Sequence, residues 1–230
     1  MKILTVLAIC SCAWAQSGVE RPRLGKMLDS NGAVRTVYGI AASVAVGDAE
    51  IAGALSQACS KKFCLAKTDA SIVSASGSTA APAGTALFAF DGDSALVWFP
   101  ESRHLARWQN DALTPIEATV DGEVLSIRAR AGSVEFAVRR ASGVWIVKSD
   151  GSVEDALPRT LGPVMLIPDG VVYATRDEIV IRDLRIPIER VTGFSQMAEG
   201  YLQVRAGGLD YALRVEKGRE MLFELPGAGQ

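Results

Sequence analysis

Five dipeptides punctuate this chain: Asn31-Gly32, Asp91-Gly92, Asp121-Gly122, Asp150-Gly151 and Asp169-Gly170. Each offers a glycine for positive φ directly after a residue whose side chain bonds its own backbone, which is the chemistry of a tight turn. Between the turns lie short runs rich in β-branched and aromatic residues, such as Ala86–Phe90, Ala95–Phe99, Val134–Val138, Val144–Val147, Val171–Ala174 and Ile179–Ile181. Helical periodicity is almost absent after Ala15. Such a chain is expected to be all-β and built of many hairpins.

The hairpins recur. Pairing the centre of one strand with the centre of the next gives Met27 with Val37, Leu65 with Val73, Val97 with Ala106, Ile146 with Ala156, Val180 with Glu189, and Leu213 with Phe223. The first landmark of each pair advances by 38, 32, 49, 34 and 33 residues. The long step holds Asp111 to Glu123, with Pro115, and reads as an insertion or an extra edge strand. A period near 34 residues accommodates about four short strands and their turns. A unit of that size cannot bury both faces alone, but units stacked around an axis cover one another. The fold expected is a small β-propeller of five or six four-stranded blades over residues 24–226. The first repeat, before Ala41, holds only a hairpin and is expected to complete or abut the last blade. A β-sandwich is the competing architecture.

This strand pattern is similar to bacterial propeller repeats of the broad TolB, NHL and WD40 kind. The Gly-His and Trp-Asp signatures of WD40 repeats and the Asp box of sialidase-type propellers are missing, and the double glycine of kelch repeats occurs once only, at Gly207-Gly208. The resemblance therefore implies a fold and assigns no functional residue.

The N-terminus points to export. Lys2 precedes an apolar run, Ile3 to Ile9, and Ala13-Trp14-Ala15 supplies small residues before Gln16. This is the pattern of a signal peptide over residues 1–15, cut after Ala15, with 16–23 as linker and 227–230 as tail. The run is too short to span a bilayer, and the residues before Cys10 and Cys12 fit a lipidation motif poorly. The mature chain is expected to be periplasmic or extracellular, without stable membrane insertion. Its charge argues against nucleic acid: 24 basic and 26 acidic residues give a net −2. The basic pairs Lys61-Lys62 and Arg139-Arg140 are too short to track a phosphate backbone.

Two cysteines remain in the mature chain, Cys59 and Cys64, separated by Ser-Lys-Lys-Phe. In an oxidising compartment they read as a disulfide closing a hairpin; a redox or zinc pair would need a different spacing or more ligands. His104 is the single histidine, which excludes multi-histidine metal sites. No Gly-x-Ser-x-Gly elbow accompanies it. Asp91 and Asp93 lack the third oxygen ligand and the bidentate glutamate of a calcium loop. Asp150, Asp169, Asp177 and Glu178 sit where turns want carboxylates. Nucleotide-loop, dinucleotide and haem-attachment motifs are missing. No cofactor, metal or catalytic residue is expected.

Trp98 and Trp145 read as blade-to-blade packing. Trp108, flanked by Arg107 and Gln109, is expected to be exposed, and Trp108 and His104 are the candidate ligand contacts. The functional expectation is a non-catalytic binding or scaffold module for a protein, peptide or glycan. The alternatives are a propeller hydrolase acting on a glycan or lactone, recognised by carboxylates converging at the channel mouth, and a subunit of an envelope assembly that pairs through an open strand edge.

Overall fold

The computed structural model describes residues 21–40, 43–130 and 133–227. The expected signal peptide, most of the linker and most of the tail lie outside them. Among the described residues there is no helix and the chain is a six-bladed β-propeller.

Blade 1 has three strands, β1 (Arg23–Leu28), β2 (Val34–Ile40) and β3 (Ser43–Ile51). The other five have four each. Blade 2 comprises β4 (Ser56–Cys59), β5 (Cys64–Lys67), β6 (Ser71–Val73) and β7 (Ser78–Ala80). Blade 3 comprises β8 (Leu87–Asp91), β9 (Ser94–Phe99), β10 (His104–Gln109) and β11 (Ala112–Ile116). Blade 4 comprises β12 (Glu123–Arg130), β13 (Ser133–Arg140), β14 (Gly143–Lys148) and β15 (Val153–Pro158). Blade 5 comprises β16 (Val164–Ile167), β17 (Gly170–Ala174), β18 (Glu178–Ile181) and β19 (Leu184–Pro187). Blade 6 comprises β20 (Val191–Ala198), β21 (Tyr201–Ala206), β22 (Leu209–Arg214) and β23 (Met221–Glu224). Every blade is an antiparallel meander with strands in chain order.

Four of the five Asx-Gly dipeptides turn a hairpin: Asn31-Gly32, Asp91-Gly92, Asp150-Gly151 and Asp169-Gly170. Asp121-Gly122 instead lies in the linker into blade 4. There Gly122 has φ +116°, and a Cβ would stand 2.6 Å from the Val138 side chain. Pro115, Pro158 and Pro187 all fall on outermost strands, β11, β15 and β19, where no further strand needs the missing N–H.

Burial explains why the strands are apolar on both faces. β9 is buried along its whole length because blades 2 and 4 cover its two sides. Between blades 3 and 4, Trp98 meets Phe136 edge to face, with ring centroids 5.6 Å apart. Phe136 has no exposed surface, and truncation of such a side chain costs about 3–5 kcal/mol. Similar cores fill the joints between blades 2 and 3, 4 and 5, 5 and 6, and 6 and 1. The joint between blades 1 and 2 is the poorest, with Val34, Ala54 and Ala66 as its fully buried members.

The true blade starts, β4, β8, β12, β16 and β20, are separated by 31, 36, 41 and 27 residues. The long step read from the sequence is therefore neither an insertion nor an extra strand. Residues 112–116 are the ordinary outer strand of blade 3, and the linker to blade 4 follows. The landmarks Leu65 and Val97 sit on second strands, whereas Ile146, Val180 and Leu213 sit on third strands. The repeat frame read from the sequence is offset by one strand from blade 4 onward, with Trp98 on a second strand and Trp145 on a third.

Blade 1 abuts the last blade without sharing a strand with it. Leu28 bonds Gln203, which pairs with Ser195, while a Cβ on Gly25 would stand 2.4 Å from the Met197 carbonyl. β1 thus runs antiparallel to β20. The five strands β4, β8, β12, β16 and β20 run together, and their C-terminal ends gather around one mouth. β4 and β20 also touch each other directly, and β1 packs against both.

The inward edge of β1 is sealed by side chains. Gln57 Nε2 donates to the Lys26 carbonyl at 3.0 Å. Gln203 accepts from the Leu28 N–H at 2.9 Å and donates to the Leu28 carbonyl at 2.8 Å, where Arg205 also donates at 2.8 Å. Backbone groups that would otherwise be an open edge are satisfied. Of the two edges of blade 1, this one is occupied from within; the other is β3.

Candidate functional site

The axial mouth at the C-terminal ends of the five inner strands holds a cavity of about 450 Å³. Its floor is apolar, with Phe88, Phe90, Ile127, Leu166 and Pro168. Its rim is polar, with Ser60, Lys61, Lys62, Arg128, Gln196 and Glu199. A concave apolar floor with a few polar groups at its edge is the usual form of a ligand site.

Lys61 and Lys62 come from the β4–β5 hairpin, which is fixed three ways. Cys59 and Cys64 face each other across the two strands and form the expected disulfide. Between them the Ser60 hydroxyl accepts from the N–H groups of Lys62 and Phe63, both at 3.1 Å. The Ser60 N–H donates to the Phe63 carbonyl at 2.9 Å. Phe63 then anchors the hairpin to blade 3, 5.2 Å from the Phe90 ring and 5.2 Å from Trp108. This lets a four-residue loop hold two exposed lysines over the mouth. Lys62 reaches Asp93 at 2.6 Å.

Arg128 is the only rim residue committed to the core. Its Nε donates to Glu135 at 2.7 Å, and Nη1 donates to the carbonyls of Ile167 at 2.6 Å and Gly170 at 2.9 Å. Burial works against charge at Glu135, but the Arg128 guanidinium outweighs it and holds the carboxyl below its usual range. The group ties blade 4 to blade 5 and leaves little of Arg128 for a ligand.

Trp108 is buried, at 5% exposure, which corrects the expectation that it is exposed. The polar neighbours Arg107 and Gln109 alternate outward while Trp108 points into the joint between blades 2 and 3. Its Nε1 has no hydrogen-bond partner among the described residues. His104 opens β10, paired with Phe99 at the end of the propeller opposite the mouth. Neither lines the axial cavity. Of the residues that do line it, only Lys61-Lys62, a basic pair inside a disulfide loop, carries a sequence signal beyond that of a strand or turn.

Glu199 is the one carboxylate among the residues lining the mouth. Two carboxylates do approach each other on blade 4, where Arg130 Nη1 lies 3.4 Å from Glu135 and 3.5 Å from Glu154, but Glu135 is buried and held ionised. Among the described residues no group of three or more His, Cys, Asp or Glu side chains is placed to hold a metal ion, and no helix is long and apolar enough to cross a membrane.

No family model and no curated protein matches the chain. Solved structures similar to it include AztD from Citrobacter koseri, with 11% identity over 88% of this chain and 69% of that one, at a TM-score of 0.46. The computationally designed Ika8 protein is 12% identical over 89% of this chain and 74% of its own, at a TM-score of 0.42. Hsv2 from Kluyveromyces lactis is 12% identical over 86% and 82%, at 0.39.

Proposed function

We propose that this protein is an exported, non-catalytic binding module that holds a ligand, a protein segment, peptide or glycan, at the axial mouth beside the Cys59–Cys64 hairpin. The observation that carries the reading is the convergence of five strand ends on one apolar-floored cavity with a braced lysine hairpin at its rim. A disulfide-closed loop suits an oxidising compartment, and the leader read over residues 1–15 supplies the route.

Two measurements test this. N-terminal sequencing of the protein recovered outside the cytoplasm should begin at Gln16. The mature chain should select members of a peptide or glycan array. That selection should be lost in Ala129→Trp, which fills the mouth, and kept in Thr192→Trp, which crowds the cavity at the opposite end. Binding that survives Ala129→Trp and is lost in Thr192→Trp would move the site to the other end of the axis.

A further inference from the structure

The mouth continues outward on both sides of the lysine hairpin. A second cavity, of about 470 Å³, shares Ser60, Lys61, Lys62 and Glu199 with it. A third, of about 520 Å³, runs into the poorly packed joint between blades 1 and 2 and shares Arg23, Lys26, Lys62, Phe63 and Cys64 with the second. The three form one track that passes the disulfide. A track of this shape takes an extended chain rather than a compact molecule.

Its charge is one-sided. Arg23, Lys26, Lys61 and Lys62 line the two outer cavities, against Glu50 and Glu199. Lys26 is held by Glu50 at 2.5 Å. Lys62 meets Asp93 in a pair exposed on both sides, which a ligand carboxylate can exchange at little cost. Arg23 and Lys61 are exposed and make no ion pair among the described residues. The chain as a whole carries net −2, so this local surplus of cations is a feature of the track and not of the surface at large.

We propose that the track docks an extended acidic peptide segment, with one apolar side chain in the mouth and flanking carboxylates on Arg23, Lys61 and Lys62. The proposal rests on the mouth being the binding site. The apolar floor favours a peptide over an acidic glycan, because a peptide alone brings an apolar side chain between two carboxylates.

The test uses the mature chain and three labelled peptides, Asp-Glu-Phe-Glu-Asp, Asp-Glu-Ala-Glu-Asp and Lys-Arg-Phe-Lys-Arg, read by fluorescence anisotropy. The first should bind, the second should bind more weakly, and the third should not bind. The Arg23→Glu/Lys61→Glu variant alters exposed side chains, and because Arg23 also lends charge to the Glu50 site its melting is read beside the parent's before binding is compared. It should weaken the first peptide by about tenfold or more, as should raising salt to roughly 500 mM. Failure of the first peptide to bind overturns the proposal, as does binding indifferent to the double variant and to salt. If array ligands are blocked by Ala129→Trp yet ignore Arg23→Glu/Lys61→Glu, the mouth stands and its acidic partner falls.

Discussion

The side-chain amide of Gln203 bonds the backbone of Leu28 at both ends, accepting from its N–H at 2.9 Å and donating to its carbonyl at 2.8 Å across 175 residues of sequence. An amide reproduces what a neighbouring strand would supply at that point, and it does so where no strand is shared between the first and last blades. Gln203 is 2% exposed. Asp210 accepts from the same Nε2 at 2.7 Å and fixes the orientation of the group.

Gln203→Leu removes the donor and the acceptor together and leaves the Leu28 groups short of partners. It should cost about 2–4 kcal/mol in urea unfolding, from two orphaned polar groups at ~1–3 kcal/mol each less the remaining Arg205 bond. Hydrogen exchange should rise first in β1. Gln203→Glu should be at least as harmful, since it loses the donor and sets a second carboxylate against Asp210.

Gly25→Ala tests the same seam from the other end of β1. Gly25 has φ +143°, and an added Cβ would stand 2.4 Å from the Met197 carbonyl oxygen, a backbone atom with nowhere to go. The expected loss is about 2 kcal/mol or more, measured as a lower denaturant midpoint with an unchanged slope.

Acid should unfold the protein through a few held carboxyls. Burial works against charge at Asp29, but Arg35 and the Ala33 and Asn31 N–H groups outweigh it and hold the carboxyl below its usual 3.8. Lys26 and Thr36 do the same at Glu50, and Arg128 at Glu135, below the usual 4.5. A carboxyl with a lower pKa folded than unfolded contributes stability that is whole above its ordinary value and is lost as pH falls through the folded value. Melting temperature should therefore be flat near neutrality and fall below about pH 4.5. Glu135→Gln should lower stability at pH 7 by about 3–5 kcal/mol, because it strands a buried guanidinium, and its acid limb should be shallower than that of the parent.

Reduction of the disulfide should barely unfold the propeller. A six-residue ring, Cys59 to Cys64, restricts little of the unfolded chain, worth about 2 kcal/mol. Cys59→Ser/Cys64→Ser should lower the melting temperature by only a few degrees. It should weaken binding at the mouth more than it weakens the fold, since it loosens the loop that carries Lys61 and Lys62.

Much of the fold was legible because its signals are local. Alternation, β-branched residues and Asx-Gly turns act over two to six residues, and four of the five dipeptides turn hairpins as read. What slipped was the frame. β9 and β14 are both apolar on two faces, yet one is the second strand of its blade and the other the third. Distance from the axis leaves no mark on such strands. Trp108 looks exposed from its sequence neighbours because Arg107 and Gln109 form the alternate face of a half-buried strand. The seam did leave a trace: Gln203 interrupts the apolar stretch Leu202 to Val204, and a polar residue inside such a run signals a buried partner. The axial mouth left almost none, since its residues come from five blades and meet only once the ring exists.

The three-stranded first blade also sets an order of events. Synthesis proceeds from the N-terminus, so β1 is complete long before Gln203 and Arg205 have been made, yet those side chains are what hold its free margin. Until blade 6 emerges, a nascent chain carries an unprotected strand able to pair with a neighbour's. Crowded refolding, in which many such margins are open at once, should lose more material to aggregation than dilute refolding, and the loss should fall on chains cut short of residue 203.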